Sequence, residues 1–186
     1  MYHSGELRTQ NPVRSITLIT TGGTIEKTYD EASGQLLNRG SLVRRMLGRL
    51  RLEDTTIHIV ELMSKDSLLM TDDDRACVAE AVRAAGGSGR LPTQTTGIII
   101  LHGTDTLTQT GERLVNELPD IRVPVVLTGA MRPYEMKRSD ALQNLTEAVF
   151  AAGVLPPGVY CVAHGRALRF PGVRKDRERG TFAGGG

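Results

Sequence analysis

The chain of 186 residues contains no tryptophan, three phenylalanines and four tyrosines. So few and scattered rings argue against a stacking platform for single-stranded nucleic acid. No charge of one sign dominates: 23 Lys and Arg face 21 Asp and Glu, a net charge of +2. Nothing in that balance calls for nucleic acid or an anionic membrane as partner, and the short basic clusters Arg44–Arg45, Lys137–Arg138 and Arg174–Arg179 read as solvated surface. No apolar run reaches the roughly 20 residues of a membrane-spanning helix. The opening "MYHSGELRTQNP" is polar and lacks the apolar stretch of a secretory leader. The expectation is a cytoplasmic protein with a loose arm over residues 1–12. Cysteine occurs twice, and Cys77 and Cys161 are expected to be free and buried in a reducing compartment. Chemical signatures are missing too. There is no P-loop spacing, no GxGxxG and no GxSxG elbow. His102 and His164 lack HxxH spacing or a clustered acid–cysteine partner, so both read as structural hydrogen-bonding residues. Neither a metal nor an organic cofactor is expected.

What remains is a soluble globular composition, 39% apolar and 24% charged. A chain of this length fits one domain burying roughly 70% of its unfolded surface. Five apolar runs read as strands: "SITLIT" (15–20), "TIHIVEL" (56–62), "GIIIL" (97–101), "PVVLT" (124–128) and "GVYCVA" (158–163). In most of them Ile, Val and Leu crowd together without alternating, as in strands covered on both faces. Between them lie helical stripes. Val43, Met46, Leu47 and Leu50 follow Ser41 as N-cap. "TDDD" from Thr71 forms a capping box before Ala76, Ala79 and Val82. Leu107, Leu114, Val115 and Leu118 make a third stripe, and Leu142, Leu145, Val149 and Phe150 a fourth. The fold class expected is α/β: a single domain with a mainly parallel twisted sheet, right-handed crossovers and helices on both faces. The segment 86–97 reads as a surface connection and the polar loop 30–40 as a candidate lid.

In such a sheet ligands bind beyond the carboxyl ends of the strands. Those ends carry "TGGTIEKTY", "MSKDS", "HGTDT", "GAMRP" and "HGRALRFPGVRK", so polar, Gly-rich chemistry follows every strand. Gly22–Gly23 lets the backbone turn sharply and a ligand approach closely. Taken alone, "TTGGT" reads as a tight turn or as a nucleophilic threonine with Gly N–H groups as oxyanion donors. Asp105, near a helix start, reads as an N-cap or as an acid orienting a lysine, for which Lys175 is the candidate.

Together, "TTGGTIEK" and "IIILHGTDTLTQT" resemble the two signature stretches of the L-asparaginase/glutaminase family, the bacterial type I and II amidohydrolases. "PVVLTGAMRP" followed by "RSDALQNLTEAV" resembles the next strand and helix of that family, so the likeness runs in order from Ile16 to Lys175. The resemblance implies hydrolysis of the side-chain amide of L-asparagine, with L-glutamine as a further substrate. It implies Thr24 as nucleophile, Tyr29 as the tyrosine polarising it, and Thr104, Asp105 and Lys175 as a second triad. Asp66 and Ser67 would bind the substrate's backbone groups, with Ser64 the alternative in a shifted register. It also implies a homo-oligomer, and sets the chain at residues 13–186 against longer members that carry a further C-terminal domain. Two other readings stay open: an amidase acting on another amide or delivering ammonia to a partner, and an amino-acid-binding module without turnover.

Overall fold

The computed structural model describes residues 13–89 and 93–184, so the arm expected over 1–12 and part of the 86–97 connection lie outside it. In chain order the strands are β1 (Arg14–Gly22), β2 (Thr28–Asp30), β3 (Gln35–Leu37), β4 (Thr55–Lys65), β5 (Gly97–Leu101), β6 (Pro124–Thr128), β7 (Gly158–Ala163), β8 (Arg166–Arg169), β9 (Arg174–Asp176) and β10 (Thr181–Ala183). The helices are α1 (Val43–Leu47), α2 (Asp72–Ala84), α3 (Leu107–Glu117) and α4 (Ala141–Val154), with 3-10 turns at Thr24–Glu26 and Ser67–Leu69. The main sheet has the order β4-β1-β5-β6-β7-β8. Its first five strands are parallel and β8 runs antiparallel to β7.

Residue parity divides the core, because successive side chains of a strand point to opposite faces. Ile19, Ile98, Ile100, Val125, Leu127 and Cys161 face one side, packed with Val78 and Val82 of α2 and Leu107 and Leu114 of α3. Ile16, Leu18, Ile99, Leu101, Val126 and Val162 face the other, against Met46 of α1 and Leu145 and Val149 of α4. Each fully buried Ile or Leu is worth about 1.5–3 kcal/mol relative to exposure. Edge strand β4 behaves differently: over residues 55–60 it alternates between half-buried and exposed, and Val60 keeps 40% of its surface in solvent.

Several expectations give way. The β1–α1–β4 crossover runs toward one edge of the sheet and the later crossovers toward the other. A uniform hand would therefore put α2, α3 and α4 together opposite α1. Instead α4 shares the face of α1, so the β6–α4–β7 crossover has the hand opposite to the other three. Packing explains it: beside α3, Phe170, Val173 and Phe182 of the C-terminal segment fill the place α4 would have taken. The loop 30–40 contains strand β3 and pairs with β2 as an antiparallel hairpin, Tyr29 opposite Leu36. Helix α1 is capped at Leu42 without a side-chain bond, although the Ser41 hydroxyl accepts the Val43 N–H at 3.2 Å. Phe150 is 63% exposed, outside the buried stripe of α4. Cys161 is buried but Cys77 is exposed, and both are free. The capping box of α2 is present as expected, with Thr71 and Asp74 bonding reciprocally.

Candidate active site

Among the parallel strands, β1 has its chain successor β4 on one side and β5 on the other. The order therefore reverses at β1/β5, the kind of switch point where open α/β sheets bind ligands. The ends of these two strands are "TGGT" and "HGTD". Gly23 has φ of +81°, a left-handed conformation, and a Cβ built on it would lie 2.4 Å from Gly103 Cα. A Cβ on Gly103 would in turn lie 2.5 Å from Ser67 Cβ. Only glycine at 23 and 103 allows the three strand ends to meet this closely. Thr24 and Thr104 each directly follow one of the two touching glycines. Thr21, on the near side of the turn, donates its hydroxyl to Leu101 O at 2.9 Å and ties β1 to β5.

Beyond Gly103, helix α3 begins after Thr106, which caps it without a side-chain bond. The Thr106 hydroxyl instead donates to Ser67 O at 2.8 Å, fastening the β4 loop to the β5 loop. The Asp105 carboxylate is likewise not a helix cap. Its Oδ1 accepts from Lys175 Nζ at 3.0 Å and pairs electrostatically with Arg177, 3.0 Å away. Lys175 Nζ also lies 2.8 Å from Thr104 Oγ1. Thr104, Asp105 and Lys175, remote in the chain, thus form one hydrogen-bonded cluster.

Lys175 reaches this point because β9 pairs with β10, Lys175 opposite Phe182. Phe182 is buried in the core. Beside it, Thr181 Oγ1 lies 2.9 Å from His164 Nδ1, and His164 Nε2 lies 2.8 Å from Asp140 Oδ2. Burial acts to raise the Asp140 pKa, but the Met131 and Arg132 N–H groups and His164 outweigh it and hold it below the ordinary value. This chain of bonds braces the lysine strand to the ends of β6 and β7. The other strand-end histidine, His102, is buried, with Nδ1 2.9 Å from Gly103 O and Nε2 2.8 Å from Thr110 Oγ1. Burial lowers its pKa to about 4, which suits the structural reading of a neutral ring.

The other residues of the expected site are more dispersed. Thr24, half-buried, opens the 3-10 turn after Gly23. Asp66 caps the Ser67–Leu69 turn, with Oδ1 accepting the Leu68 N–H at 3.0 Å, and its Oδ2 pairs with Lys27 Nζ at 2.6 Å. That lysine is the main cause of the lowered Asp66 pKa. Ser67 is only 2% exposed, held at the seam with Gly103, while Ser64 is exposed. Tyr29 stands on the β2–β3 hairpin with 60% of its surface in solvent, its hydroxyl beside Gly34.

Three residues at this edge carry no site role in the sequence reading. Glu26 is buried and closes the turn that Thr24 opens, accepting the Gly22 N–H at 3.2 Å on Oε2 and the Ser41 hydroxyl on Oε1. Burial pushes its pKa up to about 7. Lys27 and Glu26 both lie inside the motif "TTGGTIEK", but their partners Asp66 and Ser41 come from elsewhere in the chain. Arg177 belongs to a basic run read as surface. It is exposed, yet it pairs with Asp105.

The family model described as "Asparaginase, N-terminal" matches residues 15–182. The chain belongs to the asparaginase family. It is 35% identical to L-asparaginase 1 of Escherichia coli (strain K12) over 149 residues, covering 77% of this chain and 41% of that protein. It is also 31% identical over 165 residues to a glutamyl-tRNA(Gln) amidotransferase subunit of Methanococcus vannielii, covering 84% of this chain and 36% of the relative. Its fold superposes on the thermostable L-asparaginase from Thermococcus kodakarensis with a TM-score of 0.79 at 29% identity, covering 91% of this chain and 51% of that one. The chain therefore spans less than half the length of these two curated relatives. Within the asparaginase family the matched region takes in both touching strand ends and the lysine strand. No helix among the described residues is long and apolar enough to cross a membrane.

Proposed function

We propose that this chain carries the amide-cleaving groups of a cytoplasmic, homo-oligomeric amidohydrolase converting L-asparagine and water to L-aspartate and ammonia. The supporting observation is the Thr104–Asp105–Lys175 cluster at the strand end whose glycine touches the Thr24 turn. In this reading Thr24 Oγ adds to the side-chain amide carbon, the C–N bond breaks, and the amide nitrogen leaves as ammonia, carrying the proton that the Thr24 hydroxyl gives up. Backbone N–H groups at the glycine turns serve as oxyanion donors. Water then attacks the acyl ester on Thr24, its proton passing by way of the Thr104 hydroxyl to Lys175 in its amine form. Asp105 stabilises the ammonium so created. The ester C–O bond breaks, aspartate leaves, and the proton returns to Thr24 Oγ. Asp66 holds the substrate's α-ammonium, and Ser67 with loop N–H groups its α-carboxylate. Tyr29 polarises Thr24 when the β2–β3 hairpin folds inward as a lid. Glutamine differs by one methylene, worth only ~1–3 kcal/mol of discrimination, and is a further substrate.

A second reading, an amidase component that passes ammonia to a partner, is favoured by the identity to the glutamyl-tRNA(Gln) amidotransferase of Methanococcus vannielii. Ammonia release from asparagine, glutamine and an N-blocked asparagine separates the two. Thr24→Ala and Lys175→Met are each expected to lower kcat by roughly 10²–10⁴-fold. Near-native asparagine hydrolysis by Thr24→Ala refutes the proposal.

A further inference from the structure

We infer that Lys27 is a substrate-binding residue of this site: its ammonium rests on Asp66 in the place of the substrate's α-ammonium, and moves to the substrate's α-carboxylate on binding. The inference rests on the amidohydrolase reading given above. Its first support is the pairing itself. Lys27 Nζ and Asp66 Oδ2 are 2.6 Å apart, with side chains only 21% and 32% exposed, and they bridge the Thr24 loop to the Ser67 loop. The two ends differ in freedom. Asp66 is fixed by the Leu68 N–H, whereas the lysine ammonium rides on a flexible four-carbon stem. Opening the pair therefore moves Lys27 and leaves the carboxylate in place.

Charge at the site supports the same assignment. Asp105 Oδ1 is already engaged by both Lys175 and Arg177, the first of them the base of the proposed relay. Asp66 faces one cation, Lys27. A substrate ammonium thus goes to Asp66 and releases Lys27, a partly buried cation that then needs an anion. The α-carboxylate of the same substrate supplies it, and one ion pair is exchanged for two. Ser67, which the amidohydrolase reading also sets on the carboxylate, is 2% exposed and fixed against Gly103, so the lysine is the mobile donor beside it.

The test uses three amides in ammonia release: asparagine, succinamate without the α-ammonium, and asparagine methyl ester without the free carboxylate. Lys27→Met is expected to raise KM about tenfold for asparagine and succinamate with kcat unchanged, and to lower KM for the methyl ester, which displaces Lys27 from Asp66 without offering it an anion. Asp66→Asn is expected to raise KM for asparagine and the ester while sparing succinamate. A Lys27→Met effect equal on all three amides, or one confined to kcat, overturns the inference. Calorimetry with the products gives a readout independent of turnover. Lys27→Met should weaken aspartate and succinate alike, and Asp66→Asn aspartate alone. Unchanged succinate affinity in Lys27→Met overturns the inference. Absence of ammonia from every amide removes the amidohydrolase reading, while the calorimetric pattern still decides the role of Lys27.

Discussion

Replacing Glu26 with Gln should change how the protein's stability depends on pH more than it changes the stability itself. Glu26 is 2% exposed and closes the turn that Thr24 opens. Burial is the largest influence on it and raises its pKa from 4.5 to about 7, against the Ser41, Gly22 and Leu42 bonds that lower it. An unfolded Glu26 loses its proton near the ordinary value, but the folded one keeps it to about 7. Between those limits the folded state binds more protons, so stability falls as pH rises. The contribution is complete below the unfolded pKa and lost as pH passes the folded one. At about 1.4 kcal/mol per pH unit, the difference amounts to about 3 kcal/mol. Glutamine has nearly the same shape, carries no charge, can accept the Gly22 N–H and can donate to Ser41. Urea unfolding of both proteins from pH 4.5 to 8, subtracted pairwise, cancels the titrations they share. The wild type should lose about 3 kcal/mol relative to Glu26→Gln across that range. Parallel curves would refute the reasoning, because they would mean that Glu26 titrates alike in both states.

Gly103→Ala places a Cβ 2.5 Å from Ser67 Cβ. It should destabilise the chain by about 1–3 kcal/mol in urea unfolding and abolish ammonia release by parting the Ser67 and Thr104 loops. Thr181→Val keeps shape but removes the hydroxyl that partners His164. It should cost about 1 kcal/mol and speed amide exchange in β9 and β10, measured by hydrogen–deuterium exchange, with a fall in turnover as Lys175 loses its brace.

Much of the fold was legible because burial writes itself into residue order. The five apolar runs became β1, β4, β5, β6 and β7, and the capping box at Thr71 marked the start of α2. Short, half-exposed elements carried no such mark. The hairpin β2–β3 and the edge strand β8 hold few buried apolar residues, so their pattern resembles a loop. The hand of the α4 crossover was equally hidden, since it depends on Phe170, Val173 and Phe182 occupying one face of the sheet. Phe150 and Cys77 illustrate the limit of periodicity: an apolar residue in a helix faces the core only if the helix turns that way.

At the site, residue order alone specifies which residue types stand at the strand ends: the glycines that permit close approach, the threonines that follow them, and the lysine that ends "GVRK". Local order is enough for this, because a turn's φ and its lack of a side chain are properties of a few adjacent residues. Which of these groups meet is settled in three dimensions. Lys27 lies on Asp66, Glu26 bonds Ser41, and Asp105 faces Lys175 and Arg177 instead of capping α3. Electrostatic attraction and burial act over ångströms in space regardless of separation along the chain, and the order β4-β1-β5 is what sets those strand ends side by side.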